Sequence, residues 1–308
     1  MMENNFHRFI TKDGAAVLSI VDSTGICREV RRLHNTSATM TAVMGQAVTA
    51  ASLMGYGLKD KGNTLTLTVK GDGPAGTITA VSDWLGNVRC CCDDPSADLP
   101  ALVGGNFDIG RAIGRHGDLY VVKDLGMDAP YVGEIALTDG ELAQEITRYY
   151  AVSEQVPTVC SLGCIVDRDL SVARAGGFLL QLLPYCPEEV IDRIEQNLKD
   201  APGMTVMLDE GRSFTYVANR LLAGLEPEEL DVTTAEYRCT CSRERMERVL
   251  ISLGEKELLR LAEEQENTEI VCHFCNSRYV FSSEEMRELA AESVKDNGLT
   301  DENGQPEG

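Results

Sequence analysis

Cys239-Thr240-Cys241, then thirty residues, then Cys272-His273-Phe274-Cys275: these two close cysteine pairs decide how the C-terminal part of the chain folds. Zn²⁺ takes four soft ligands at tetrahedral corners, and two short turns can each present two thiolates. The spacing predicts a closed zinc site with Cys239, Cys241, Cys272 and Cys275 as ligands and one Zn²⁺ per chain. The second pair has the usual knuckle spacing; the first is tighter than most zinc ribbons use. Ser242 is placed to cap a helix carrying Met246, Val249, Leu250 and Leu253 on one face. Gly254 ends it, and Glu255–Glu264 reads as a second helix. Glu269–Val271 and Tyr279–Phe281 read as strands either side of the knuckle. Ser282 with Glu285 makes a capping box for a last helix. The apolar residues give this module a thin core, so its folding is expected to depend on the metal.

The same thiolates are potential oxidation targets, because thiolate rather than thiol is the reactive form. Arg238, Arg243, Arg245 and Arg248 cluster near the first pair and are placed to offset the −2 charge of a four-thiolate zinc centre. Oxidation would remove the ligands, with pairing inside each doublet easiest on loop-closure grounds. A permanently reduced structural site is the alternative. His273 is expected to face solvent, since four cysteines already complete the shell. A thioredoxin-type role for Cys272-x-x-Cys275 would need the pair at a helix N-terminus after a strand; here a strand follows.

The remainder of the chain narrows the class. With 308 residues there is room for two domains, and 28 basic against 49 acidic side chains leave a net charge of −21. That charge argues against binding nucleic acid or docking on an anionic membrane, both of which draw on lysine and arginine. The N-terminal stretch lacks the apolar core of a signal peptide, so the eleven cysteines are expected to sit free or on metal in a reducing cytoplasm. Asn35 to Leu58 contains no charged residue. It is too rich in Ala, Thr, Gly and Ser for a membrane span and reads as a small-residue helix buried at a domain centre.

Residues 14–33 read as two strands, Ala15–Val21 and Ile26–Val30, around a turn at Asp22–Gly25. Thr64–Val69 alternates with period two, and Thr77–Val81 continues after Gly71-Asp-Gly73-Pro-Ala-Gly76. That glycine run matches G-x-G-x-x-G, but a strand rather than a helix follows, so it reads as a hairpin turn and not a nucleotide site. Further strands are expected at 86–89, 119–123, 131–137 and 159–166. Thr138 with Glu141 is expected to box the start of a helix running to about Tyr150. These elements alternate irregularly, giving an α+β class with a mixed-sheet N-terminal domain around a buried central helix. The reading divides the chain into a core domain (1–178), a helical linker (179–231), a small four-cysteine zinc domain (232–295) and a disordered acidic tail (296–308). The linker carries apolar stripes at Val190, Ile191, Ile194 and Leu198, at 204–208, and at Leu221, Leu222 and Leu225. They are too few for a core of its own. It is either a plain connector or an element folded only while its neighbours hold it.

The cysteine doublets followed by Asn276-Ser-Arg-Tyr279-Val-Phe281 resemble the zinc centre of the bacterial heat-shock protein 33 family. So do Lys70-Gly-Asp-Gly-Pro74, Tyr149 with Ser153-Glu-Gln155 and Pro157, and Ala175-Gly-Gly-Phe-Leu-Leu-Gln-Leu-Leu-Pro184. The resemblance implies a redox-regulated holdase chaperone, not an enzyme, that is inactive when reduced and zinc-bound. It implies that oxidants form the disulfides Cys239–Cys241 and Cys272–Cys275, expel zinc, and unfold the zinc domain and linker. Apolar surface is then offered to unfolding client proteins, and the active form is expected to be a homodimer. A thiol–disulfide oxidoreductase, or a purely structural zinc module, is the other reading of the same residues. The chain departs from the family pattern at Cys90-Cys91-Cys92, where glycine and ordinary strand residues are expected. With Cys160, Cys164 and Cys186, these thiols read as buried and inert, or as further targets of oxidation.

Overall fold

In the computed structural model, which describes residues 5–58, 60–102 and 106–297, the chain divides into two units, Met1–Arg238 and Cys239–Gly308. The first unit opens with β1 (Asn5–Ile10), β2 (Ala16–Asp22), α1 (Thr24–His34) and α2 (Ala38–Gly55). It continues through β3 (Thr64–Gly71), β4 (Thr77–Asp83), β5 (Val88–Cys92), α3 (Ile109–Ile113), β6 (Gly117–Asp124) and β7 (Tyr131–Ala136). Then come α4 (Leu142–Tyr149), a π turn at 150–154, β8 (Thr158–Val166) and β9 (Val172–Leu182). Three helices, α5 (Glu188–Asp200), α6 (Met204–Asp209) and α7 (Phe214–Leu221), precede β10 (Glu228–Thr234). Two five-stranded sheets result, ordered β10-β1-β2-β9-β8 and β5-β4-β3-β6-β7. Neighbouring strands in both are antiparallel, and Val88 and Tyr237 add a parallel bridge at the β5 edge.

The uncharged run becomes α2, which contacts strands of both sheets. Every residue of it except Ala38 and Gln46 is buried. A helix enclosed on all sides carries no amphipathic stripe, which is why small residues replace periodicity here. At its end Gly55 packs against β4, where a Cβ would stand 2.2 Å from Ser82 Oγ. The glycine run turns between β3 and β4 with Lys70 opposite Thr77, the expected hairpin.

Two local expectations are corrected. Ile26–Val30 is helical, inside α1: Ile26, Cys27 and Val30 form one buried face, a helical spacing that a short β-branched run disguised. Asp22 accepts the Thr24 N–H at the start, and Asn35, left-handed at φ 48°, closes the end. At α4 the partner of Thr138 is Glu145, not Glu141. Glu145 Oε1 accepts from Thr138 N–H and Oγ–H and from the Asp139 and Gly140 N–H groups, while Arg148 pairs with Oε2. Glu141 is itself the N-cap residue.

The stripes of α5–α7 have a surface to cover. Leu18, Ile20, Phe9, Phe178 and Leu180 on one face of the first sheet pack with Val190, Ile194, Met207, Val217 and Leu221. The opposite face, with Val21 and Leu179, belongs to the α2 core, as period-two strands require. The expected junctions at 178/179 and 231/232 fall inside β9 and β10. The glycine-led run through 184 keeps pairing with β2 to Leu182, and β10 lies on the β1 edge.

The second unit holds α8 (Arg243–Ile251), α9 (Glu255–Glu264), the hairpin β11 (Asn267–Val271) and β12 (Arg278–Ser282), and α10 (Ser283–Asn297). Its core comprises Met246, Leu250, Leu258, Ala262, Phe281, Met286, Leu289 and Ala290. Val249 and Leu253, expected inward, are each 50% exposed, because the buried face of α8 narrows to the i, i+4 pair Met246 and Leu250. The Ser282–Glu285 box forms in both directions. Of the expected tail 296–308, residues 298–308 lie outside the described residues.

Burial opposes the charge of Glu145, but its backbone hydrogen bonds and Arg148 hold its carboxyl below the usual range. Glu145→Gln is expected to cost about 2–4 kcal/mol at pH 7, read from urea unfolding. Because the folded value is depressed, the wild-type advantage is full above about pH 4.3 and fades as pH falls through the lower folded value.

Candidate metal centre

Each doublet is presented by a different piece of the second unit. Cys239 and Cys241 lie just before α8, whose N-cap Ser242 accepts the Arg245 N–H and fixes how the chain enters the helix. Cys272 and Cys275 sit in the turn between β11 and β12. Cys272 N–H donates to Ser277 O at 2.9 Å, and Asn276 N–H returns to Cys272 O at 2.8 Å. Asn276 adopts φ 57°, a left-handed conformation that asparagine tolerates well.

The four sulfurs meet. All lie within 4.8 Å of one another, and all four thiols are free. Cys239 Sγ is 3.7 Å from Cys272 Sγ, and Cys241 Sγ is 3.3 Å from Cys275 Sγ, each approach joining one doublet to the other. A tetrahedron with metal–sulfur bonds of about 2.3 Å has edges of about 3.8 Å. The donor set is all sulfur and closed, which suits a structural tetrahedral ion with no open position for substrate. Among the described residues no other group of three or more His, Cys, Asp or Glu side chains meets in this way.

Each sulfur also has a donor aimed at it. Tyr279 O–H donates to Cys241 Sγ at 3.1 Å. The Cys241 N–H points at Cys239, and the Phe274 and Cys275 N–H groups point at Cys272. Ser277 Oγ lies 3.1 Å from Cys275 Sγ. Burial raises the Cys239 and Cys272 thiols. Burial also opposes ionisation of Cys275, but hydrogen bonds from Ser277 and the neighbouring thiols outweigh it and bring this thiol down to about 7. One thiolate is thus available near neutral pH to begin binding a cation.

Three of the four arginines expected to neutralise the centre have other partners. Arg238 pairs with Glu236 and Asp83, and Arg243 with Glu285 and Glu247 while stacking over Phe281. Arg245 donates to Thr240 Oγ1. Acidic neighbours are plentiful in a chain this negative, and a direct carboxylate pair outcompetes a diffuse attraction to sulfur. Backbone N–H groups and two hydroxyls serve the sulfurs instead. Tyr279 and Ser277 were legible only as strand and knuckle residues. The signal for Tyr279 is the alternation of β12, which turns it toward the sulfurs. His273 is exposed, as expected. Cys272-x-x-Cys275 lies in a hairpin turn and not at a helix N-terminus, the position thioredoxin-type chemistry requires.

Removing the Tyr279 hydroxyl should weaken metal binding by about tenfold with little change in fold. Competition between Tyr279→Phe and a chromophoric chelator measures it, with unchanged affinity as the contrary result. Chelation of the wild-type protein should abolish the hydrogen-exchange protection of α8–α10 while that of α2 persists.

Comparison with known proteins agrees with this arrangement. The family model described as Hsp33 protein matches residues 4–282. The 33 kDa chaperonin of Clostridioides difficile (strain 630) is 39% identical over 285 residues, covering 92% of this chain and 98% of that protein. The 33 kDa chaperonin of Clostridium perfringens (strain SM101 / Type A) is 38% identical over 297 residues, covering 96% and 93%. A crystal structure of the Hsp33 homologue from Thermotoga maritima superimposes with a TM-score of 0.87 at 34% identity, covering 96% of this chain and 100% of that one.

Proposed function

This chain belongs to the Hsp33 family of chaperones, and from that premise we propose that it is a holdase whose activity is gated by oxidation of its four-cysteine centre. The observation that carries the reading is the convergence of four free thiols in a unit whose core, among the described residues, is eight side chains. In the reduced state Cys239, Cys241, Cys272 and Cys275 hold one Zn²⁺, which as a redox-silent cation fixes the two doublets together. The second unit is folded and α5–α7 stay on their sheet. The protein is then inactive.

Oxidation of each doublet takes two electrons from its two thiolates, forming Cys239–Cys241 and Cys272–Cys275, while peroxide draws two protons from solvent. For each disulfide one molecule of hydrogen peroxide is reduced to two of water. Disulfide sulfur is a poor zinc ligand, so the module loses the bonds its thin core depends on. The linker helices follow, and the sheet face of Phe9, Leu18, Ile20, Phe178 and Leu180 becomes available to the apolar segments of unfolding client proteins. We place this action in the cytoplasm, with a homodimer as the oxidised form, no enzymatic turnover, and no nucleic acid or membrane among the partners. The net charge of −21 supports the last point, and no helix among the described residues is long and apolar enough to cross a membrane.

The decisive experiment follows zinc release and thiol count during peroxide treatment at raised temperature, beside light scattering of a heat-denatured client. One zinc per chain should leave as four thiols disappear and client aggregation falls. Zinc retained while the client aggregates regardless would make the module purely structural. Peptide mapping should find the disulfides inside each doublet; links Cys239–Cys272 and Cys241–Cys275, the pairs in contact in the reduced fold, would overturn the pairing.

A further inference from the structure

The first unit contains seven cysteines that the four-cysteine centre does not use, and two of them face each other. Cys27 lies on the buried side of α1, and Cys164 lies in β8. Both approach α2 at the same residue. A Cβ added to Gly45 would stand 2.9 Å from Cys164 Sγ and 3.2 Å from Cys27 Sγ. The missing side chain leaves room for the two sulfurs, both of which lie within 3.2 Å of that one point. Their remaining contacts are long. Cys27 Sγ reaches Gly45 O at 3.6 Å and Ser23 Oγ at 3.8 Å, and Cys164 Sγ reaches Thr41 O at 3.8 Å.

The pair is not sealed off. Cys164 lines a cavity of about 440 Å³ together with Gln46 of α2, Ile165 of β8 and Thr205 and Val206 of α6. That space admits water and a small peroxide; Cys27 lies behind it, fully buried.

We propose that Cys27 and Cys164 form a second oxidisable thiol pair, which a peroxide converts to a disulfide stapling α1 to β8. Cys164 sulfur attacks a peroxide oxygen, the O–O bond breaks, and one water leaves as Cys164 becomes a sulfenic acid. Cys27 sulfur attacks the sulfenic sulfur and expels the second water. Two thiols thus lose two electrons and two protons, and one peroxide becomes two waters. To bond, the sulfurs must close across the space beside Gly45 to about 2.05 Å. The staple would join segments far apart in sequence, the arrangement that constrains an unfolded chain most. It does not depend on the four-cysteine centre being a switch.

The reaction is slow in the native fold. The neighbouring Cys27 thiol and burial both raise the Cys164 thiol well above its ordinary range, so little thiolate is present. The test is peptide mapping of the full chain during treatment with excess hydrogen peroxide, with acid quenching, denaturation and alkylation at each time. A peptide pair joined through Cys27 and Cys164 should appear at least about tenfold more slowly than the thiols of the four-cysteine centre are lost. Dithiothreitol should reverse it. Gly45→Ala, which wedges a methyl group between the sulfurs while keeping both cysteines, should reduce the yield of the link several-fold. Wild-type mapping decides the question even if that variant folds poorly. Recovery of both cysteines alkylated after exhaustive oxidation overturns the proposal. So does Cys27 joined to Cys90 instead, or Cys164 driven to sulfinic acid with no link.

Discussion

Four sulfur atoms, none more than 4.8 Å from another, set the terms for the second unit. They are brought together by a helix start on one side and a hairpin turn on the other, and each is met by an N–H or O–H group. Four sulfurs so close cannot all carry charge without a cation between them. Protonated, they are only a polar cluster beside a small core. The centre is therefore the strongest single term in the unit's stability when loaded and a weak one when empty.

The first unit solves a different problem. Its sheets enclose α2 between them, and this requires a helix without large side chains where strands approach, as at Gly55. One sheet is apolar on both faces. α2 takes one face, and α5–α7 take the other. Those helices hold that face through Ile194, Met204, Met207, Val217, Ala218 and Leu221, while their outer sides are exposed. The connector and conditional readings of this segment differ only in how strongly that face is held.

The sequence made legible whatever had a short-range chemical cause. Cysteine spacing located the centre, Ser242 and Ser282 located two helix starts, and the absence of charge located α2. Legibility failed where tertiary partners chose between local options. Ile26–Val30 is as good a strand as a helix by residue type, and only its burial against α2 and β9 makes it α1. Glu141 and Glu145 are both within reach of Thr138, and the turn at Gly140 decides for the second. The linker junctions were set by composition, whereas the strands continue as far as their neighbours pair with them. At the centre itself, spacing named the four cysteines that meet but not the Tyr279 hydroxyl beside them, because that depends on which way β12 faces.

The parallel bridge at the β5 edge bears on the linker from its far end. Val88 N–H donates to Glu236 O and Arg238 N–H to Val88 O, and the Tyr237 hydroxyl bonds with the backbone of Cys90. The segment from 183 to 235 is therefore moored at both ends, by β9 before it and by this clasp after it. A moored segment that leaves its sheet explores a closed loop rather than the volume open to a free tail. Its entropy gain on release is smaller, and so is the search it must repeat to return. If the linker is released as proposed, the clasp thus favours a cover that can be lifted and reseated many times over one that unfolds once.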